Sequence, residues 1–242
     1  MVKIFVFLLA IAFAPLGSSK TQQRLSPMIF FVYSPYYDRL CAASLDGKKA
    51  QSGWDTTKLK PEWVTEIKGR VAEFQTQWES VSEKLFGSLF KNFNKGLSRK
   101  ELTAVLSVCD QGTNMSDPLV FNVRKLLNSF PQKQPVELSF LTDIVFHELL
   151  HLWLNENFLS KGPQRIEITK NKSEHMYQHM YLYAVQDLVY QEAGLKSLWL
   201  NIQKRLQERD DIWYQALKEV QKNENKQLLI NHLKQSVIPK KN

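Results

Sequence analysis

Two histidines and a glutamate within one short apolar stretch are the residues best suited to chemistry. His147, Glu148 and His151 form the pattern His-Glu-x-x-His within residues 142–154. On a helix, residues four apart lie on the same face, so both imidazoles can bind one metal ion. Glu148 lies beside them, where a carboxylate can take a proton from a metal-bound water. The pattern therefore predicts a catalytic metal site on a helix.

A purely structural explanation is a core helix whose two histidines are satisfied by hydrogen bonds. The stretch is apolar almost all round, which predicts that the helix is buried; its large apolar residues are Ile144, Val145, Phe146, Leu149, Leu150, Leu152, Trp153 and Leu154. Burying two imidazoles and a carboxylate without partners would cost several kcal/mol. A bound metal removes that cost and explains all three polar residues together, so we favour the metal.

A catalytic zinc site usually has three protein ligands, and leaves a further position for water. The best-known compact spacing would continue the motif with a glycine and a third histidine, but those positions hold Leu154 and Asn157. His175 and His179 follow, four apart, in the next predicted helix. We expect His179 to be the third ligand because its apolar neighbours predict burial. His175 and Glu174 are the alternative ligands, or residues that orient the ligands.

Further residues of this second helix offer supporting roles. Asp187 could orient a ligand histidine through a carboxylate hydrogen bond. A donor to the oxyanion of a hydrolytic transition state could come from one of four tyrosines, namely Tyr177, Tyr181, Tyr183 and Tyr190. Aromatic residues at these spacings are more often packing residues, so the sequence selects none of the four.

The motif from His147 to His151, followed by a helix with a further ligand, resembles the zincin group of zinc metallopeptidases. It is similar to the branch whose third ligand lies on a separate downstream helix. In that branch the third ligand usually opens Glu-x-x-x-Asp, whereas this chain has Glu174-His-Met-Tyr-Gln178, which favours a histidine. The resemblance covers residues 139–190. It implies Zn²⁺ as the cofactor, a peptide or protein as the substrate, and Glu148 as the general base.

Three other functions remain open on the same residues. The first is an exported metal-binding or scaffold protein that keeps the metal for structure and has no turnover. The second is a zinc hydrolase that acts on non-peptide bonds, because zinc-activated water does not specify the bond. The third is a metal-free helical interaction protein whose histidines meet by chance.

Length and charge narrow the class of protein. The chain has 242 residues, 43% of them hydrophobic and 23% charged, which suits a single globular domain with a sizeable core. The net charge of +8 predicts affinity for acidic partners, such as anionic polymers or lipids of a cell envelope. The basic residues are scattered and no nucleic-acid-binding module appears, so we expect no nucleic-acid partner.

The N-terminal residues 1–19 predict a signal peptide. Lys3 gives a positive start, residues 4–13 are apolar, and residues 17–19 are small, as a cleavage site requires. The apolar run is too short to span a bilayer, so we expect no transmembrane anchor after its removal. The prediction is a secreted or periplasmic protein. In an oxidising compartment, Cys41 and Cys109 could form a disulfide or stay as separate thiols.

The elements before the motif helix predict a small mixed sheet. Residues 28–33 and 102–109 are strand-like, 110–114 form a turn, and 118–123 suggest another short strand. From Glu62 to about Phe93, apolar residues at three- and four-residue intervals predict a long helix, interrupted near Gly87. This order predicts an α+β, mostly helical, zincin-like domain with the sheet packed on the active-site helix.

The elements from the motif onward predict helices. Ser139 and Thr142 are candidate caps of the motif helix, and residues 161–163 are its stop signal. Asn171-x-x-Glu174 predicts a capping box that opens the next helix, which ends at Gly194. Beyond it we expect one or two amphipathic helices that meet near residues 210–211. One domain, 20–242, would then comprise the N-terminal strands and long helix (20–135), the metal-site helix pair (136–194) and the C-terminal helices (195–242).

Overall fold

The structure is a computed structural model that describes residues 26–38, 60–108, 114–131, 136–209 and 211–237. The predicted signal peptide, Cys41, Cys109 and most of the predicted 110–114 turn lie outside these residues. In the described part, helices predominate and surround one small mixed sheet. The α+β, mostly helical class predicted from the sequence is confirmed.

The sheet has four strands in the order β1-β2-β4-β3. They are β1 (Met28–Tyr33), β2 (Glu101–Ser107), β3 (Met115–Ser116) and β4 (Leu119–Asn122). β1, β2 and β4 run parallel, whereas β3 is antiparallel to β4. In β1 the buried side chains of Ile29 and Phe31 alternate with exposed ones, as expected of a strand with one face on the core. The three predicted strands are present, and β3 was not foreseen because two residues carry no readable alternation.

The two outer strands differ in whether their outward-facing backbone groups are hydrogen-bonded. At β1, the side chain of Gln75 takes the place of a neighbouring strand. Its Nε2 donates to the carbonyl of Ile29 at 2.8 Å, and the N–H of Phe31 donates to its Oε1 at 3.1 Å. At β3, Met115 and Ser116 make backbone hydrogen bonds with β4 alone among the described residues. Among the described residues, one edge of the sheet is therefore closed by a side chain, and the other has no partner.

Helix α1 (Pro61–Phe93) connects β1 to β2 and contacts the sheet. Proline at its first position suits a helix start, and it ends at Asn94, whose φ of 50° is left-handed. The predicted interruption near Gly87 is wrong, because the helix is continuous. A glycine in a helix costs about 1 kcal/mol relative to alanine. Burial of the adjacent Phe86 and Leu89 against the core outweighs it.

Helix α2 (Ser139–Asn157) carries the motif and is buried between α1, the next helix and the β3–β4 end of the sheet. Neither predicted cap is used, since the residue before the helix is Leu138 and no side chain caps it. The helix ends before the predicted stop, and a 3₁₀ turn follows. Its C-terminal end is fixed by Trp153, whose indole N–H donates to the carbonyl of Lys95 at 3.1 Å.

Four further helices complete the described chain: α3 (Glu174–Glu192), α4 (Lys196–Gln207), α5 (Ile212–Gln221) and α6 (Asn223–Val237). The predicted capping box at residues 171–174 is wrong. Ser173 is the cap instead, and its hydroxyl accepts from the N–H of Met176. Beyond Gly194, three helices form where one or two were expected. Asp211 caps α5 through the N–H groups of Trp213 and Tyr214, in agreement with the predicted junction there.

A continuous hydrophobic core joins the sheet to all six helices. Helix α3 is its centre on the C-terminal side, where it contacts α1, α2, α4, α5 and α6. Both partners of the α2–α3 pair are thus held from several sides, which makes their relative position rigid. Within the described residues, no helix has the length and apolar character needed to cross a membrane.

Candidate metal centre

Helices α2 and α3 bring three histidines together. His147, His151 and His179 each offer one ring nitrogen, and these atoms lie within 4.8 Å of one another. The Nε2 atoms of His147 and His151 are 3.2 Å apart. Two nitrogens that each lie about 2.0–2.1 Å from a tetrahedral zinc ion are about 3.3 Å apart. The pair on α2 therefore has the spacing of two ligands of one ion.

Hydrogen bonding and burial keep these imidazoles in the form that binds metals. The Nδ1 of His179 lies 2.8 Å from the carbonyl oxygen of His175. A carbonyl can only accept, so Nδ1 carries the proton and Nε2 has a free lone pair. Burial, together with the neighbouring histidines, lowers the pKa of His151 to about 3. Burial likewise lowers the pKa of His179 to about 4 and that of His147 well below its usual value. All three are neutral at pH 7, as metal ligation requires.

Glu148 is a buried carboxyl that has no partner among the described residues. Its side chain is 8% exposed and borders the same cleft as the histidines. It makes no hydrogen bond or ion pair with any described residue. Burial first, and then the nearby carboxyl of Asp143, raise the pKa of Glu148 to about 7. A carboxyl that titrates near neutrality can both accept and release a proton at physiological pH.

Behind the histidines lies a polar group that sequence reasoning missed. Asp143, one helical turn before His147, accepts hydrogen bonds from Gln186 Nε2 and from the hydroxyl of Tyr190. Burial raises the pKa of Asp143 to about 7 despite these two donors. The amide oxygen of Gln186 is buried without a hydrogen-bond partner. A carboxylate spaced four residues before His147, on an otherwise apolar helix, was the signal available in the sequence.

The histidines open into a cleft of about 570 Å³. Its lining comes from β3 and its flanking residues 114–117, from α2, from α3 and from α4. Arg205, Arg209 and Trp213 also border it, and the Trp213 ring meets the His179 ring edge-on at 6.0 Å. No local pattern could have placed these three beside the motif, because they reach it through tertiary packing.

Of the four tyrosines considered, Tyr183 alone borders the cleft. Its ring lies 5.9 Å from that of His147 and 5.8 Å from that of His179. Its hydroxyl has no hydrogen-bond partner among the described residues, although a buried tyrosine usually finds one. The hydroxyl of Tyr181 lies 2.6 Å from His232 Nδ1, and that of Tyr190 donates to Asp143.

The other predicted site residues lie outside the histidine cluster. His175 is exposed at the rim of the cleft, with its ring stacked on that of His179 at 5.7 Å, and contributes its carbonyl oxygen. Glu174 is paired with Arg165 and accepts from Gln178. Asp187 accepts hydrogen bonds from Trp199, Gln191 and Lys226, and none from a histidine.

Comparison with known proteins adds nothing to this geometry. No protein-family model, no curated protein and no solved structure matches the chain. Any functional assignment therefore has to be argued from the site itself.

Proposed function

We propose that the protein is a zinc-dependent metallopeptidase. The observation that carries this proposal is that three neutral imidazoles converge beside a cleft that is also lined by a buried carboxyl, for which the described residues offer no partner. An all-histidine donor set suits Zn²⁺, and three protein ligands are the number found in catalytic zinc sites. His147, His151 and His179 would hold the ion. When bound, zinc lowers the pKa of a water molecule and polarises a carbonyl group.

Glu148 would act as the general base and then as the general acid. Its pKa of about 7 matches a group that takes a proton from the attacking water. Because its carboxyl is not engaged by other side chains, it can pass that proton to the leaving amine without first breaking an internal hydrogen bond.

Tyr183 is the best candidate for stabilising the oxyanion. Its ring lies beside the cleft and close to the rings of two of the three histidines, and its hydroxyl has no partner among the described residues. Burial raises its pKa, so the phenol keeps its proton and serves as a hydrogen-bond donor. A fixed donor directed at developing negative charge is among the most effective devices in acyl transfer.

Strand β3 would orient the substrate. It borders the cleft, and no described residue pairs with the backbone groups of its outer edge, which could therefore pair with an extended peptide. The opposite edge, at β1, is closed by Gln75. An open edge beside a hydrolytic site favours a peptide over a small non-peptide substrate. We further propose export to the periplasm or the medium, on the sole basis of residues 1–19.

The test combines metal analysis with one substitution. The purified protein should contain one zinc per chain, and it should hydrolyse members of a broad peptide library. Glu148→Gln should reduce hydrolysis by about 10²–10⁴-fold while zinc remains bound. The matched control is Glu167→Gln, whose side chain is 88% exposed, and it should change neither property.

The possible failures point to different alternatives. Stoichiometric zinc without hydrolysis of any peptide would favour a metal-binding scaffold, or a hydrolase of other bonds. Absence of zinc from protein that was purified without chelators and then incubated with zinc would leave only a metal-free interaction protein. Hydrolysis that survives in Glu148→Gln would remove the proposed mechanism.

A further inference from the structure

Arg205 is a cation in the wall of the cleft that has no acidic partner among the described residues. It lies near the C-terminal end of α4, half-buried, with its guanidinium carbon 4.4 Å above the centre of the Phe140 ring. It makes no hydrogen bond or ion pair with any described residue. Stacking on an aromatic face fixes the plane of a guanidinium and leaves the N–H groups at its edge free.

The other charged groups that border the cleft are engaged or belong to the proposed chemistry. Arg209 is paired with Asp211 at 2.7 Å, and Asp117 with Arg99 at 3.3 Å. Glu148 is the proposed base. Asp143 lies close enough to Arg205 to feel its charge, but its oxygens accept from Gln186 and Tyr190 instead. Arg205 is therefore the one cleft cation in the described chain that is left without an acidic partner.

Such a group is suited to one class of ligand. The planar fork of an arginine matches a carboxylate, which it can bind through two parallel hydrogen bonds. A half-buried position strengthens this attraction, because solvent screens it less than at the surface. A neutral amide in the same place would leave part of the fork unpaired.

We infer that the cleft selects substrates with a carboxylate next to the reacting bond, and that Arg205 is the residue that recognises it. This inference rests on the proposed peptidase function. The carboxylate could be the side chain of an aspartate or glutamate, or the C-terminal carboxylate of a short peptide. Both sources present the same two oxygens to Arg205, so the experiment has to separate them.

Binding of matched hydroxamates, in which a short acyl linker joins the hydroxamate to the amino group of one residue, tests the inference without any turnover. The hydroxamate group binds the zinc-loaded protein, and the attached residue is either glutamate or glutamine. Each is made with a free or an amidated C-terminus. Calorimetric titration gives Kd for the four compounds. We expect about a tenfold or larger advantage for a carboxylate over its amide, since hydrogen bonds to charged groups are among the stronger ones. The pair that shows the advantage identifies the source.

Substitutions then assign the preference to Arg205. Arg205→Gln should bring the acid-to-amide ratio of Kd values close to one. Arg205→Glu should bind a fifth compound, the lysine-bearing hydroxamate, more tightly than the glutamate-bearing one. The matched control is Lys204→Gln, which removes an exposed positive charge from the same helix without touching the cleft. It should leave the ratio unchanged.

Each result has a defined meaning. Equal Kd values for acid and amide in the wild type, or a ratio that survives in Arg205→Gln, would overturn the inference. So would failure of all four compounds to bind zinc-loaded protein. If acidic hydroxamates bind preferentially but no peptide is hydrolysed, carboxylate recognition stands and the peptidase proposal falls. If peptides are hydrolysed without any acidic preference, the peptidase proposal stands and this inference falls.

Discussion

Two carboxylates of this molecule, Asp187 and Glu148, are equally buried but differ in their hydrogen bonding. Each is 8% exposed. Asp187 accepts three hydrogen bonds, from Trp199 Nε1 at 2.5 Å and from Gln191 Nε2 and Lys226 Nζ at 2.7 Å. Glu148 accepts none within the described chain, and its pKa rises to about 7. The first carboxylate is closed by its neighbours, while the second is left open towards a cleft.

Under the proposed function, the difference separates a structural use of burial from a chemical one. A buried polar group that serves the fold is satisfied, because every unsatisfied group lowers stability. A group kept for chemistry has to remain available, and the fold tolerates the resulting loss of stability. Helix α2 shows the same contrast between available and satisfied polar groups. The Nε2 atoms of its two histidines face each other, whereas the N–H of Trp153 donates to the carbonyl of Lys95.

The largest effect is expected from the metal itself. Zinc at about a thousand times its Kd should raise the free energy of unfolding by about 4 kcal/mol, because it binds only the folded site. Thermal unfolding with zinc and with chelator measures this. His151→Ala should abolish the zinc-dependent increase, whereas His175→Ala should retain most of it. An identical Tm with and without zinc in the wild type would contradict the proposed ligand set.

Removal of the Tyr183 hydroxyl should act on catalysis and hardly at all on stability. Tyr183→Phe should lower kcat by about 10²-fold if the hydroxyl stabilises the oxyanion. Because that hydroxyl has no partner among the described residues, the free energy of unfolding should stay nearly constant. The comparison variant is Tyr190→Phe. It removes a hydroxyl that donates a hydrogen bond to Asp143, so it should lower the free energy of unfolding, unlike Tyr183→Phe. A Tyr183→Phe enzyme with unchanged kcat would assign that role elsewhere.

Replacement of Asp187, the fully hydrogen-bonded carboxylate, should lower stability and leave the metal site unchanged. Asp187→Asn should lower the free energy of unfolding by about 2 kcal/mol, because it weakens the bonds to Trp199 and Gln191 and leaves Lys226 without its counter-charge. Zinc content should not change. Urea denaturation and metal analysis of the same preparation provide the two numbers. A loss of zinc together with normal stability would mean that Asp187 acts on the metal site after all.

The smallest effect is a pH-dependent gain in stability on replacing Glu148. A carboxyl whose pKa is raised in the folded state binds more protons folded than unfolded between its usual value and about 7. Its charge therefore destabilises the fold increasingly as pH rises through that window. In the metal-free protein, Glu148→Gln should be more stable than wild type by about 1 kcal/mol or more at pH 8, because the cost of burying an unpaired amide offsets only part of the gain, and by almost nothing at pH 4. Denaturation at both pH values checks the sign, and a loss of stability at pH 8 would show that Glu148 has a partner.

The parts of the fold that follow from local pattern could be predicted from the sequence. The strand at Met28–Tyr33 and the helix at Pro61–Phe93 were predicted within a residue or so, because alternation and helical spacing are local properties. The motif histidines are likewise related by a single turn of one helix. The role of His179 as a metal ligand and the identity of the metal stay predictions.

What could not be predicted depends on contacts between distant parts of the chain. Gln186 reaches Asp143 across 43 residues, and Arg205 reaches Phe140 from another helix. The break expected at Gly87 failed to appear because core packing on both sides outweighs a weak local preference. The capping box at Asn171 was displaced because Ser173, two residues on, provides a cap of equal quality.

The bond between Gln75 and β1 has a consequence for self-association. Sheets of two molecules join most easily through unpaired outer strands. In the described part of this sheet, the side chain of Gln75 blocks such pairing at β1. Two copies that met strand to strand would have to use β3, and each would then cover the other's cleft.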